Sequence, residues 1–159
     1  MQTSYTQYNN ELLLGNIADT YHPRQIDSFL AQGAVGIAKA VTRGTNKARQ
    51  CAQATTATGQ GALIFGVALL SQTVEQSSAG LVQYNDKETV PVMRRGRIVV
   101  MTTTAVTAGN TANFVLASGN WTDAAVGAGI EATPQLKAQF VTSTSAAALA
   151  ILEVHNAIV

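Results

Sequence analysis

The chain has one cysteine and two histidines in 159 residues. A lone Cys51 closes no internal disulfide, and His22 with His155 cannot make a zinc site without several acidic partners. Charge is scarce as well: 12% of residues are Asp, Glu, Lys or Arg, against roughly 25% in an average soluble protein. Ten basic and nine acidic residues leave a formal charge of +1, so bulk charge gives no reason to expect nucleic acid as a partner. The longest apolar stretch, Ala62 to Leu70 with Gly66 inside it, is far short of the ~20 residues that span a bilayer. No membrane partner is expected. The opening MQTSYTQYNNELLLG has no basic segment and only a three-leucine core, which does not read as a secretory signal.

What is present is small. Ala (26), Thr (19) and Gly (13) dominate the sequence, leaving few long side chains for a polar surface. The length suits one domain able to bury a real core without disulfides or metal. Residues 1–24 are polar, contain Tyr5, Tyr8 and Tyr21, and lack a sustained period. They read as an extended arm preceding a single β-rich domain over 25–159. From Arg24 to Gly33 the spacing of Ile26, Phe29 and Leu30, with Gly33 at a C-cap position, predicts one short helix. From Val35 the period becomes two, predicting a strand to Thr42. Residues 44–61 have no period and read as a long surface loop. Leu63 to Leu70 suits a buried strand with a bulge at Gly66, with a buried helix as the competing reading. Further strands are expected at Val90 to Met93, Arg97 to Thr103, Thr111 to Leu116, Leu136 to Thr142 and Ala148 to Val154. Turn signals separate them at Asn85-Asp86, Arg95-Gly96, Ala108-Gly109-Asn110, Ser118-Gly119-Asn120 and Gly127-Ala128-Gly129. The predicted class is all-β, a mainly antiparallel small barrel or sandwich, because no intervening stretch is long and periodic enough for crossover helices.

Catalytic chemistry finds little support. A nucleophilic triad needs a rigidly placed base, whereas His22 sits in the arm before Pro23 and His155 lies near the end of the chain. Asp86 and Glu88 flank Lys87 in a turn, where solvated loop charge explains them. Gly59-Gln60-Gly61 lacks the third glycine and the lysine of a phosphate loop. Asn120-Trp121-Thr122 has the N-glycosylation pattern, but a turn followed by an anchoring Trp accounts for it better. No cofactor or metal is implied. Two basic clusters remain. Lys39, Arg43, Lys47 and Arg49 have no acid among them, and Arg94, Arg95 and Arg97 surround Gly96. In a strand Arg95 and Arg97 would share a face and Arg94 the other. Solvated arginines at a hairpin corner and a docking site for a partner's carboxylates are both open readings; nucleic acid is disfavoured, because aromatics are not interleaved with the charges.

The order of segments resembles the bacteriophage structural cement, or capsid decoration, proteins. The resemblance runs through IADTYHPRQIDSFLAQGAVGIAKAVTRG, ALIFGVALLSQTVE, YNDKETVPVMRRGRIVVMT, AVTAGNTANFVL and LKAQFVTSTSAAALAILEVH, nearly the whole chain. Its more telling pieces are MRRGRIVV followed by the AGN turn, and the late KAQFVTSTSAAALAILEV. One departure is Gly109-Asn110 where Gly-Asp is expected; both fit a turn, as Asn also tolerates positive φ. The resemblance implies a non-enzymatic virion protein, made in the bacterial host. It would bind the outside of an icosahedral shell and bridge neighbouring major capsid subunits, working as a homotrimer or else a dimer. On that reading Tyr5, Tyr8, Tyr21, Arg24, Arg94, Arg95 and Arg97 are the candidate capsid or subunit contacts. The apolar runs Ala62 to Leu70 and Ala148 to Val154 would need a neighbour to cover one face. A receptor- or glycan-binding β module of a virion spike or tail is the alternative.

Overall fold

The computed structural model describes residues 12–19, 21–54, 58–71 and 82–156. Among them the strands are β1 (Gln25–Ala31), β2 (Val35–Gly36), β3 (Ala40–Arg43), β4 (Gln50–Gln53), β5 (Ile64–Ala68), β6 (Gln83–Tyr84), β7 (Thr89–Met101), β8 (Asn113–Val115), β9 (Trp121–Thr122), β10 (Ile130–Glu131), β11 (Ala138–Phe140) and β12 (Leu149–His155). β1, β4, β3, β5 and β7 lie side by side in that order, and β1 pairs back onto β7 to close a small barrel. β12 and β11 extend the same sheet beyond β7, while β10-β8-β9 and β2-β6 form two smaller sheets. Every strand pairing is antiparallel except β1 with β4. Closure removes the open edges that make a small sheet prone to association.

β7 is the long element, at 13 residues. Its N-terminal part has β1 on one edge and β5 on the other, since Met93 faces both Ile26 and Val67. Its C-terminal part has β12 on one edge, from His155 opposite Arg95 to Leu149 opposite Met101. The remaining edge is taken by the chain before β1. Gly15 N–H donates to Val99 O at 2.8 Å, Val99 N–H to Asn16 O at 3.0 Å, and Ala18 N–H to Arg97 O at 2.9 Å. Buried backbone groups left without such partners would each cost free energy comparable to a lost hydrogen bond.

The predicted turn at Arg95-Gly96 is not there; one strand replaces the two expected. Gly96 carries φ +131°, a conformation open to glycine, and absorbs the distortion without reversing the chain. Gln25 faces Arg95 and Ile26 faces Met93, so Arg94 is the extra residue of a bulge. The predicted helix over Arg24 to Gly33 is likewise a strand. Phe29 and Ala31 are buried while Ser28 and Leu30 are exposed, the period of a sheet, and the β7 edge supplies hydrogen-bond partners that outweigh a weak helical preference. Within the predicted 44–61 loop, Gln50–Gln53 is β4, paired with both β3 and β1. The predicted strand from Val35 to Thr42 is divided between β2 and β3 by a turn in which Ala38 has φ +58°.

β5 is buried at every position. Its bulge lies at Phe65, because Val41 faces Gly66 and Thr42 faces Ile64. Gly66 is needed for a different reason: a Cβ there would overlap Val92 Cγ1 and sit 2.8 Å from Met93 O. The small β10-β8-β9 sheet is fixed to the barrel by Trp121. Its indole is fully buried, stacks edge-on against Phe114 at 6.3 Å, and donates Nε1–H to Ala38 O at 3.4 Å. The apolar runs Ala62 to Leu70 and Ala148 to Val154 are covered largely within one chain, since β5 is fully buried and β12 alternates half-buried with buried positions. Leu63 and Leu70, 53% and 37% exposed, are what the first run leaves uncovered at its two ends.

The strand-like segment 15–18 is tied down by charge. Arg97 donates from Nε to Glu153 Oε2 at 2.7 Å and pairs through Nη1 with Asp19 Oδ2 at 3.3 Å. His155 Nε2 meets Glu153 Oε1 at 2.8 Å, and His22 Nδ1 meets Asp19 Oδ2 at 3.1 Å. The hydrogen bond from His155, then that from Arg97, holds the Glu153 carboxyl below its ordinary value. The Tyr21 N–H does the same for Asp19, helped by the charges of His22 and Arg97.

Two outcomes follow from this architecture. Gly66→Ala should destabilise the fold by about 1–3 kcal/mol through overpacking, read as a thermal midpoint lowered by roughly 2–12 °C for a chain of this size; an unchanged midpoint would show that the β5–β7 approach relaxes freely. A carboxyl whose folded pKa is depressed contributes stability that is complete above its unfolded value and lost as pH falls through the folded one. Thermal midpoints should therefore hold from neutral pH down to the ordinary glutamate value of 4.5 and fall below it. Glu153→Gln should lower the neutral-pH midpoint and flatten the acid decline.

Candidate functional site

The candidate contact residues fall into three groups. Tyr5 and Tyr8 lie outside the described residues. Tyr21 is 97% exposed, its N–H held by Asp19 Oδ1 at 2.8 Å, and it is the exposed aromatic among the described ones. Arg94 and Arg97 are turned inward to intramolecular partners. Arg94 Nη1 meets Asp27 Oδ2 at 2.9 Å across the β1–β7 bulge, and Arg97 joins Asp19 to Glu153. The structure thus separates Arg95 from Arg97 in role, although both alternate with the buried Gly96 and Ile98. Arg24, in the lead-in to β1, and Arg95 are exposed.

The other basic cluster divides as well. Lys39 is half-buried and donates to Ser118 O at 2.8 Å and to Asn120 Oδ1. It fixes the turn ahead of Trp121, and burial lowers its pKa. Arg43, Lys47 and Arg49 belong to the hairpin between β3 and β4. The Arg43 guanidinium lies 4.2 Å from the Phe65 ring centre and 4.9 Å from that of Phe29, and these rings meet edge-on at 5.2 Å. Arg43 therefore lies over the aromatic pair at one end of the barrel, held there by cation–π attraction. Desolvation, with Arg94 second, lowers its pKa, while Asp27 opposes this. Lys47 and Arg49 are exposed on the hairpin.

Strand direction brings the two clusters together. β3 runs toward the end of the barrel from which β4, β1 and β5 set out, and antiparallel β7 reaches that end at Arg94 and Arg95; β4 is staggered along it, with Gln50 beside Leu30 and not beside the start of β1. The Arg43 guanidinium lies within electrostatic reach of Arg94 and Asp27, and Asn156 N–H bonds Arg94 O. One end of the barrel thus gathers Arg24, Arg43, Lys47, Arg49, Arg94 and Arg95, residues 71 positions apart at the extremes of the sequence. The strand order that assembles this face is a tertiary property, although the two charge runs that feed it are visible in the sequence.

The carboxylates of the turn before β7 and the lone thiol are engaged in structure. Asp86 Oδ1 accepts the Gly33 N–H at 2.9 Å, and Glu88 accepts from Asn85 N and Nδ2. Cys51 is fully buried, and burial pushes its thiol up to about 11, far from thiolate reactivity at neutral pH. Among the described residues no group of three or more His, Cys, Asp and Glu side chains could hold a metal ion, and no helix is long and apolar enough to cross a membrane.

In the solved structures, the chain is similar to a chain of the capsid of Myoviridae phage XM1, with a TM-score of 0.72 and 15% identity over 98% of this chain and 97% of that one. At that identity the likeness establishes the fold. No curated protein matches. The model of the family described as structural cement protein (E217 gp24/Pam3 gp6) matches residues 1–155, essentially the full chain. With its all-β barrel, its internally committed carboxylates and that match, the chain belongs to the phage structural cement protein family and is a component of the virion.

Proposed function

We propose that this protein is a non-enzymatic clamp that binds the outer surface of the phage shell and bridges neighbouring major capsid protein subunits. The observation that carries this reading is the family match over residues 1–155. The structure is consistent with it: the described carboxylates bind within the chain, Cys51 is buried, and the chain is a closed barrel with the segment before β1 secured along β7. A protomer that holds two shell subunits raises the effective concentration of one for the other, so many individually weak contacts stabilise the particle together. A homotrimer is the proposed working form, on the family resemblance alone. The alternative of a glycan-binding module is disfavoured by Trp121, whose ring is buried and unavailable as a stacking platform.

The arm enters this proposal in two parts. Residues 15–18 complete the β7 edge, whereas Tyr5 and Tyr8 precede them and are proposed to seat in shell pockets with Tyr21, as large aromatic side chains do at interface centres. Purified protein added to shells lacking it should co-sediment to saturation and raise the temperature at which the shells come apart; no binding overturns the function. Deleting residues 2–11 should leave the thermal midpoint of the free protein within about 2 °C while weakening shell binding roughly tenfold or more. Unchanged binding would remove the arm as an anchor. Sedimentation equilibrium across a concentration series tests the trimer, which a monomeric mass, combined with isolated single copies on the shell, would exclude.

A further inference from the structure

We propose that the barrel end carrying Arg24, Arg43, Lys47, Arg49, Arg94 and Arg95 is the face that docks on carboxylates of the partner protein's surface. The inference rests on the proposed binding to the shell and names the part of the molecule that makes it. The formal charge of +1 conceals how the charges are sorted. All ten basic residues lie among the described ones, and six of them converge on this end. The carboxylates bordering it are already used: Asp27 by Arg94, and Glu131, beside the loop leading into β5, by the N–H groups of Gly59 and Gly61. Farther along β7, Asp19 and Glu153 are committed to Arg97. Among the described residues, what faces outward there is net positive.

The chemistry favours carboxylate over phosphate. Arg24, Arg49 and Arg95 are exposed guanidiniums, whose planar fork matches a carboxylate with two parallel hydrogen bonds. Phe29 and Phe65, the aromatics at this end, lie buried beneath Arg43. They offer no surface on which bases could stack, as single-stranded nucleic acid binding requires. Asp27 and Arg43 further prepare the site. The first holds Arg94 in place, and the aromatic pair under the second fixes a guanidinium at the barrel mouth, so less side-chain freedom is lost on docking.

The experiment uses the full chain and shells lacking it. Wild-type binding should weaken steadily as ionic strength rises from 50 to 500 mM, as expected for exposed ion pairs. The triple variant Lys47→Glu, Arg49→Glu, Arg95→Glu should bind about tenfold or more weakly at low salt. Lys87→Glu, on the β6–β7 turn and outside these six residues, should change binding by less than about twofold. If wild type fails to bind shells, the functional reading falls. If it binds but is insensitive to salt and to the triple variant, the functional reading stands and the basic face is overturned. Poly-L-glutamate should compete with shells for wild type. A mixed-sequence DNA duplex that competes better would overturn carboxylate recognition in favour of phosphate. Thermal unfolding of each variant is measured alongside, and where the triple variant unfolds early the wild-type salt series and the competition decide.

Discussion

A strand of 13 residues has two edges of backbone donors and acceptors to satisfy, and the arrangement of this protein is organised around doing so for β7. No single partner is long enough. β1 and then residues 15–18 take one edge, β5 and then β12 the other. The changeover from one partner to the next falls near Arg94 to Gly96, where a bulge and a positive-φ glycine loosen the ladder. Barrel and extended sheet are therefore two halves of one strand's pairing requirement. Residues 15–18 belong to the fold for the same reason.

The same strand sets the electrostatics. Arg94, Arg95 and Arg97 come within four positions, yet the pleat and the bulge send them to three destinations: Asp27 on β1, solvent, and the Asp19–Glu153 pair. Carboxylates elsewhere are spent on backbone geometry. Asp123 accepts from Asn110 Nδ2 and Thr107 N–H, with the Asn110 bond chiefly holding its pKa down, and Asp86 and Glu88 brace the turn before β7. Among the described residues of a chain with so few charges, using acids as internal braces leaves bases to define the exterior field. Net charge summed over the sequence cannot reveal that separation.

The all-β class, the turns at Asn85-Asp86, Ala108 to Asn110, Ser118 to Asn120 and Gly127 to Gly129, and the anchoring role of Trp121 were legible in the sequence, because each depends on local pattern or on one residue's chemistry. What could not be read there was pairing. Ile26, Phe29 and Leu30 satisfy a helical spacing as well as a strand's, and only the free edge of β7 decides between them. Arg95-Gly96 has the composition of a turn but sits where flanking strands hold both sides extended. β6, β9 and β10 are two residues long, too short to show a period. The basic end of the barrel was half legible: both charge runs stand out, whereas their meeting depends on a strand order that no local feature encodes.

Closing β1 onto β7 also sets a timetable. β1 ends at residue 31, and the partner that completes the barrel begins at residue 89. The far half of β7 then waits for β12, which starts at residue 149. Hairpins such as β3–β4 can form early, but they cannot bury the core until these distant segments arrive. Topologies dominated by such distant pairings fold slowly, in milliseconds to seconds, because chain entropy must be lost before the contacts that reward it exist. During synthesis the early strands must therefore remain soluble while still unpaired. A sequence rich in Thr and Ala and sparing in large apolar side chains suits that interval.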